Sequence, residues 1–453
     1  MIQNEVGEAV YGNYYALLKF ALILSTVLDL GIENFNRKEI AGNDAILDKF
    51  LSNFFVLKII LGFIYLTLGI TGGIISEFEW QEMKFMVLIL LNEFLRSMIL
   101  YMRANLGGLH KFKTDSIFSV FDRIILIIVC AILLLNKQWF GNFKIEWFIL
   151  SQTLAYSLSF ILVFKKVLKY VTHFKPSLKW NYSLAILKQL SPYALLMFLM
   201  AIYNHIDPFL LKQLLSDGEK QSGIYAQSGR ILEICANYSY LFAVILLPIF
   251  SRMIRQKENI DKILRLSYFL IIIPSVLAVI GFNIFKTEII SSLYPSGHEV
   301  ISARIFGTLM FSLLGISSTY IYGTLLTANG NLKQLNVIAF FGVLISISLN
   351  LILIPDFKAL GSAIANISSQ IITALVQIIL AIKIFKIKPK YKRSFIILLY
   401  FGLLITIGKI LYIYLNLNWL IEFVIFLFAG ISMVLIVVKK DIKQFIELIR
   451  TKN

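Results

Sequence analysis

The sequence predicts an all-α membrane protein, a polytopic bundle of about 13 transmembrane helices. Of its 453 residues, 58% are hydrophobic and only 15% are charged, and the mean hydropathy is +0.80. This composition lies far outside the range of soluble globular domains. Several runs, apolar on every side, approach or reach the roughly 20 residues that cross a ~30 Å hydrocarbon core as a helix. They are residues 118–135, 264–281, 337–354 and 395–414.

Thirteen segments in all are long and apolar enough to be predicted as spans, and polar or charged loops separate them. The first seven cover residues 11–31, 50–70, 84–105, 116–136, 146–164, 186–210 and 223–249. The other six cover residues 263–284, 301–327, 335–354, 360–382, 394–415 and 419–438.

Lysine and arginine gather in alternate loops, which predicts how the chain is oriented. The basic loops begin at Arg37, Lys111, Lys165, Arg252 and Lys383, and a basic amphipathic tail begins at Lys439. Cation-rich loops are typical of the cytoplasmic side, so we expect a cytoplasmic C-terminus and contact with anionic membrane lipids. Orientation therefore accounts for the net charge of +17, and we expect no nucleic-acid partner.

The sequence does not predict an enzyme. Cys130 and Cys235 lie inside apolar segments and the four histidines are scattered, so we expect neither a disulfide framework, nor a metal site, nor a cofactor. The predicted external loops are short and contain no paired carboxylates or histidine cluster for acid–base chemistry. This argues against a membrane-bound polysaccharide polymerase or glycosyltransferase.

An internal repeat links the first and seventh predicted spans. The first has Gly12, Tyr14 and Lys19, and the seventh has Gly223, Tyr225 and Arg230 at the same spacing. Chance is one explanation, since Gly and Tyr are common at helix ends. The other is two repeated lobes, because both spans run in the same predicted direction and end in a basic loop.

The repeat predicts three parts in the chain and points to an absent helix. Residues 1–170 form an N-terminal lobe, residues 180–385 form a C-terminal lobe, and residues 390–453 form two extra helices with a cytoplasmic amphipathic tail. A full span precedes Gly223, whereas only eleven residues precede Gly12. We therefore expect either a truncated start that lacks the first helix or a natural variant with thirteen helices.

Two blocks of sequence carry a resemblance to a known family. The first comprises residues 10–14 (VYGNY), 28–31 (LDLG) and 37–41 (RKEIA). The second comprises residues 293–295 (LYP), 325–330 (LLTANG), 349–355 (LNLILIP) and 361–366 (GSAIAN). With these blocks the chain resembles the polysaccharide transporter family, the O-antigen and capsule flippases of the multidrug/oligosaccharidyl-lipid/polysaccharide flippase superfamily.

The resemblance implies a two-lobed bundle that works by alternating access in the bacterial inner membrane. The substrate it implies is an undecaprenyl-pyrophosphate-linked oligosaccharide, a repeat unit of O-antigen, capsule or exopolysaccharide. Implied partners are membrane lipids, this polyprenol-linked saccharide and the polysaccharide polymerase machinery. Competing hypotheses within the superfamily are cation-coupled multidrug efflux and flipping of a peptidoglycan lipid precursor.

Ionisable groups inside predicted spans are costly and therefore mark candidate functional residues. Cations suit a diphosphate, so the predicted substrate-binding residues are Lys19, Arg96, Arg230 and Asn237. Candidates for ion coupling are Asp207, Glu233 and Glu93. The alternative for two of the cations is an ion pair within one helix, of Arg96 with Glu93 and of Arg230 with Glu233.

Other in-span residues are expected to have structural roles. Lys58, Lys188 and Arg304 lie near predicted span ends, from which a long cationic side chain can reach the membrane surface. Pro192, Pro248 and Pro274 either kink their helices or mark helix boundaries.

Overall fold

The fold is helical, as the sequence predicts. A computed structural model describes residues 2–136, 138, 141–295, 298–387, 391–414 and 417–433, and within these residues all regular structure is helical. The amphipathic tail predicted after residue 438 lies outside the described residues.

Eight helices precede residue 215. They are α1 (Ile2–Val6), α2 (Glu8–Leu24), α3 (Ile32–Gly42), α4 (Leu47–Ile75), α5 (Trp80–Gly108), α6 (Phe112–Leu135), α7 (Ile145–Leu168) and α8 (Trp180–Leu214). Short 3₁₀ turns at Ser25–Leu28 and Asp44–Ile46 flank α3.

Eight further helices follow. They are α9 (Gly218–Arg255), α10 (Asp261–Ile284), α11 (Lys286–Leu293), α12 (Glu299–Met310), α13 (Ser312–Ala328), α14 (Leu332–Phe385), α15 (Tyr391–Tyr414) and α16 (Trp419–Met433).

Many of these helices are long and apolar enough to cross a membrane. Among the described residues nine meet that test, or ten if α2 and α3, which are bent by 41°, form one span. The 54-residue α14 breaks at Lys358, whose φ of 51° and ψ of −134° are not helical. This break separates the two spans predicted at 335–354 and 360–382. The total of about thirteen spans stays a prediction.

The chain divides into two compact units, Met1–Gly223 and Ile224–Asn453. Helix α8 packs on α2 and belongs to the first unit, whereas the predicted division assigned residues 180–214 to the second lobe. The difference arises because sequence periodicity does not reveal which helices pack together. The three-part organisation itself stays a prediction.

A sharp break separates α2 from α3 within the first predicted span. Leu30 and Gly31 have positive φ values of 47° and 87°, a region that a glycine adopts without strain. The Asp29 carboxylate accepts hydrogen bonds from the amides of Gly31 (3.2 Å) and Glu33 (2.9 Å). Asp29 thus satisfies backbone donors at the start of α3, which is necessary where no water is available.

The in-span prolines lie inside helices and do not mark boundaries. Proline lacks an N–H, so it leaves the carbonyl four residues earlier without its helical donor. For Pro192 that carbonyl belongs to Lys188, and the Ser191 hydroxyl donates to it at 2.9 Å. For Pro274 it belongs to Leu270, and the Tyr238 hydroxyl of α9 donates to it at 3.0 Å. Side chains therefore complete both interrupted helices.

The two glycines that are equivalent in the sequence repeat lie at one close helix crossing. Both belong to the first unit, which includes the start of α9 as far as Gly223. A Cβ atom on Gly12 would lie 1.8 Å from the carbonyl oxygen of Glu219, and one on Gly223 would lie 2.0 Å from that of Glu8. Only glycine allows the backbones of α2 and α9 to approach this closely.

We expect Gly12→Ala to lower the thermal unfolding midpoint of the purified protein in detergent. The added Cβ atom would meet backbone, and overpacking of this kind costs ~1–3 kcal/mol. Gly402→Ala in α15 is the matched control, because a Cβ there meets nothing within 4 Å. An unchanged midpoint for Gly12→Ala would contradict this prediction, because it would mean that α2 and α9 can move apart at the crossing without loss of stability.

Candidate functional site

The predicted site residues fall in both units. Lys19, Glu93, Arg96 and Asp207 lie in the first unit, on α2, α5 and α8. Arg230, Glu233 and Asn237 lie on α9 in the second unit and are described separately.

Lys19 is buried, with only 3% of its surface exposed. Its Nζ lies 3.3 Å from Nδ1 of His205 on α8 and 5.0 Å from the centre of the Tyr15 ring. An ammonium group can only donate, so His205 Nδ1 accepts and the imidazole carries its proton on Nε2. The contact orients Lys19 without cancelling its charge.

Arg96 pairs with Glu93 one helical turn away on α5. The Arg96 Nε donates to Glu93 Oε2 at 2.7 Å, which confirms the intrahelical ion pair that was the structural alternative for these residues. The Glu93 side chain is only 6% exposed but that of Arg96 is 39% exposed. Arg96 therefore keeps a surface on which a further anion could bind.

Lys19 and Arg96 come from two helices that pack together, α2 and α5. His205 of α8 contacts Lys19, and Glu93 offsets the charge of Arg96. Electrostatic interactions are strong in a medium of low dielectric, so an anion that reaches the exposed part of Arg96 would be attracted to it.

Asp207 is also buried, with 1% of its surface exposed, and follows His205 by two residues on α8. Pro208 comes directly after it and lies inside the helix. A carboxylate buried this deeply has lost its hydrogen bonds to water and needs hydrogen-bond or ionic partners from the protein instead.

Lys58 is the important residue of this unit that sequence reasoning missed. The expectation that it extends to the membrane surface is wrong, because it is 1% exposed and lies eleven residues, about 17 Å of helix, inside α4. Its Nζ donates to Glu33 Oε1 and to Ser97 Oγ, each at 2.8 Å, and lies 3.6 Å from Asp29 Oδ1. We call Lys58, Glu33, Asp29 and Ser97 the Lys58 cluster.

The Lys58 cluster joins three elements. Asp29 and Glu33 flank the break between α2 and α3, Lys58 is on α4, and Ser97 is on α5. Asp29 and Glu33 are four residues apart, about one helical turn, and this spacing is the sequence signal that could have revealed the acidic side of the cluster. Their basic partner lies 25 residues from Glu33, so helical periodicity along one segment could not identify it.

A second ion pair lies at the start of α5. Lys212 near the end of α8 pairs with Glu82, and its Nζ also donates to Asn13 Oδ1 at 3.0 Å. This pair links α8 to α5 and α2. Polar contacts therefore hold α8 at Lys212 as well as at His205.

In the second unit, Arg230, Glu233 and Asn237 on α9 follow Gln227 at spacings of three or four residues, which places all four on one helical face. Gln227 is buried and Arg230 is half-buried, but Glu233 and Asn237 are exposed. The ion pair of Arg230 with Glu233 stays a prediction. Nearby, Ser239, Ser275 and Ser317 form a buried hydroxyl chain with O–O distances of 2.7–2.9 Å.

Comparison with known proteins gives a family and a fold. The family model described as "Polysaccharide biosynthesis protein" matches residues 1–254. No curated protein matches the chain significantly.

Several solved structures are similar in fold. Lipid II flippase MurJ, in an inward closed conformation, has a TM-score of 0.69 and 16% identity, and the match covers 96% of this chain and 98% of that one. An inward-facing multidrug resistance MATE transporter of the MOP superfamily has a TM-score of 0.65 and 14% identity, with 85% and 92% covered. A MOP superfamily transporter from Pyrococcus furiosus has a TM-score of 0.56 and 15% identity, with 83% and 86% covered.

We expect Lys58→Met to destabilise the protein by about 3 kcal/mol, because it leaves two partly buried carboxylates without their cation. Adding Glu33→Gln should restore part of the loss, since it removes one of these charges. Denaturant unfolding of the two single variants and the double variant measures the coupling. Lys188→Met on the exposed surface of α8 is the control, and a loss there equal to that of Lys58→Met would contradict the cluster's role.

Proposed function

Since the chain belongs to the polysaccharide biosynthesis protein family, we propose that it flips an undecaprenyl-pyrophosphate-linked oligosaccharide. The saccharide is an O-antigen, capsule or exopolysaccharide repeat unit. It moves from the cytoplasmic to the periplasmic leaflet of the bacterial inner membrane by alternating access, and the polymerase machinery uses it there. On this proposal the chain is a transporter and not an enzyme.

The observation that carries the proposal is that two cations of the first unit lie on helices that pack together. Lys19 on α2 is buried against His205, and Arg96 on α5 keeps an exposed surface beside its partner Glu93. Cationic groups inside a membrane protein are costly and suit an anionic ligand. The diphosphate of a polyprenol-linked sugar is an anion of this kind.

The two side chains suit a diphosphate in different ways. The guanidinium of Arg96 offers a planar set of donors that can hold two phosphate oxygens, while its Nε remains bound to Glu93. Lys19 supplies a compact charge whose position His205 fixes. In the second unit, Arg230 and Asn237 on α9 are separate candidates for substrate contact, with the exposed Asn237 amide suited to a sugar hydroxyl.

Buried carboxylates supply a means of coupling transport to an ion. Glu93 and Asp207 are buried, so gaining a proton or a small cation changes the free-energy cost of keeping them away from water. Glu93 is directly bonded to Arg96. Protonation of Glu93 would therefore remove the negative charge that competes with the substrate for Arg96. Glu233, beside Arg230, is the equivalent candidate in the second unit.

The solved relatives support this class of substrate. MurJ is named a lipid II flippase, and that protein and this chain match over nearly the full length of both. The fold is therefore shared with a protein that is named a flippase of a lipid, and flipping of a lipid-linked substrate is what we propose for this chain. The multidrug resistance MATE transporters share the fold. The experiment below must therefore distinguish flipping of a lipid-linked saccharide from efflux of small compounds.

We expect Lys19→Gln and Arg96→Gln each to reduce export of the lipid-linked repeat unit about tenfold or more. Losing one hydrogen bond to a charged group costs about 1.5–3 kcal/mol, and each 1.4 kcal/mol is a factor of ten. The measurement is the lipid-linked glycan pool on the cytoplasmic leaflet, together with surface polysaccharide, in a deletion strain carrying each variant. Purified protein in proteoliposomes provides the direct flipping rate.

Two control variants distinguish the loss of substrate binding from the general effect of removing one positive charge. Lys188→Gln removes an exposed lysine on α8, and Arg103→Gln removes an arginine on α5 that pairs with Asp115. Both are expected to retain export once expression is normalised. An unchanged glycan pool in the deletion strain, with raised drug sensitivity only, would refute flipping and favour multidrug efflux.

A further inference from the structure

A polar cavity lies in the first unit, and its lining includes neither Lys19 nor Arg96. It forms where the loop between α7 and α8 folds against the first turns of α4, and its volume is about 240 Å³. A single water needs only ~10–15 Å³ measured in this way. The cavity therefore has room for a group much larger than one water molecule.

Hydrogen bonds fix the loop that forms one wall of the cavity. The Asp48 carboxylate accepts from the Thr172 hydroxyl and from the amide of His173. Asn53 Oδ1 accepts from the amide of Lys179 at 2.7 Å. Because both ends of the loop segment are tied to α4, the backbone that presents its lysines has a defined position.

The lining of the cavity is cationic. Lys49 comes from α4, Lys175 and Lys179 come from the loop, and all three are exposed. The Lys49 ammonium lies 5.1 Å from the centre of the Tyr182 ring, which orients it. The carboxylate at the cavity, Asp48, already accepts hydrogen bonds from the loop. Three ammonium groups around one open cavity attract an anion.

The position of the cavity indicates the kind of anion. It lies where α4 begins at Leu47 and α8 begins at Trp180, so it is at the ends of two membrane-spanning helices. Trp180 is 54% exposed, and tryptophan is enriched at the interface between hydrocarbon and water. Lipid phosphate groups lie at this depth.

We propose that this cavity binds a phosphate group presented at the membrane surface by the headgroup of an anionic phospholipid. Ser52 and Asn53 form its buried polar floor, and the lysines provide the charge that holds the phosphate. The proposal is independent of the transported substrate, because the cavity contains neither Lys19 nor Arg96.

The test uses the full-length protein purified in a neutral detergent. Short-chain phosphatidylglycerol is titrated in, and native mass spectrometry counts the bound lipids. Lys175→Gln/Lys179→Gln is expected to weaken the apparent Kd of the tightest lipid at least tenfold. The backbone tie to Asn53 survives in this variant because it uses the Lys179 amide and not its side chain.

Lys165→Gln/Lys169→Gln is the matched control. These exposed lysines at the end of α7 precede the same loop, and replacing them removes the same charge, but they do not line the cavity. The control is expected to bind as the wild type does. Equal weakening in both double variants would overturn the proposal, since it would reduce the effect to general surface charge. Absence of saturable binding to the wild type would also overturn it.

Two further arms identify the source of the phosphate. Short-chain phosphatidylcholine, which is zwitterionic, is expected to bind at least tenfold more weakly than phosphatidylglycerol. Inorganic pyrophosphate is expected to displace phosphatidylglycerol only at much higher concentration, because it lacks the acyl chains that place the headgroup at the cavity. If pyrophosphate binds more tightly than the lipid, the lipid assignment is wrong.

Discussion

Neutralisation of charge inside a membrane is the constraint on which the first unit depends, and the Lys58 cluster meets it. A lone lysine or carboxylate among apolar helices would be expensive. Lys58 on α4 instead joins Glu33 and Asp29 at the break between α2 and α3, and Ser97 on α5. One buried cation thus fixes three elements relative to each other. Asp29 also caps α3, so the ion cluster and the helix break stabilise the same short segment.

The candidate binding residues are positioned by this cluster. Arg96 directly precedes Ser97 on α5, and Lys19 lies on α2, which leads into the break. The partner of Lys19, His205, is on α8, which Lys212 ties to Glu82 at the start of α5. The cations that we assign to the substrate therefore lie on helices whose positions are already fixed by other ion pairs. A binding site needs rigid support of this kind.

Features encoded locally were predictable from the sequence, and features that depend on tertiary contacts were not. Hydropathy along one segment identified the helices, and the rarity of ionisable groups in spans identified Lys19 and Arg96. The partner of Lys19 is 186 residues away, so His205 looked like one of several scattered histidines. Lys58 was misjudged because its two acids lie on another element. The glycines of the repeat were found as a pattern, but their purpose, a close backbone crossing, required coordinates.

The hydrogen bond between the Tyr238 hydroxyl and the Leu270 carbonyl makes the backbone of α10 at Pro274 depend on a second helix. Pro274 cannot supply the donor that the Leu270 carbonyl lacks, so this carbonyl depends on the Tyr238 hydroxyl of α9. Separating the two helices at this point would leave a bare carbonyl in an apolar medium, at a cost of several kcal/mol. The backbone of α10 is thus completed by a side chain of α9. A substitution of Tyr238 would consequently be felt in α10, a helix whose own sequence is unchanged.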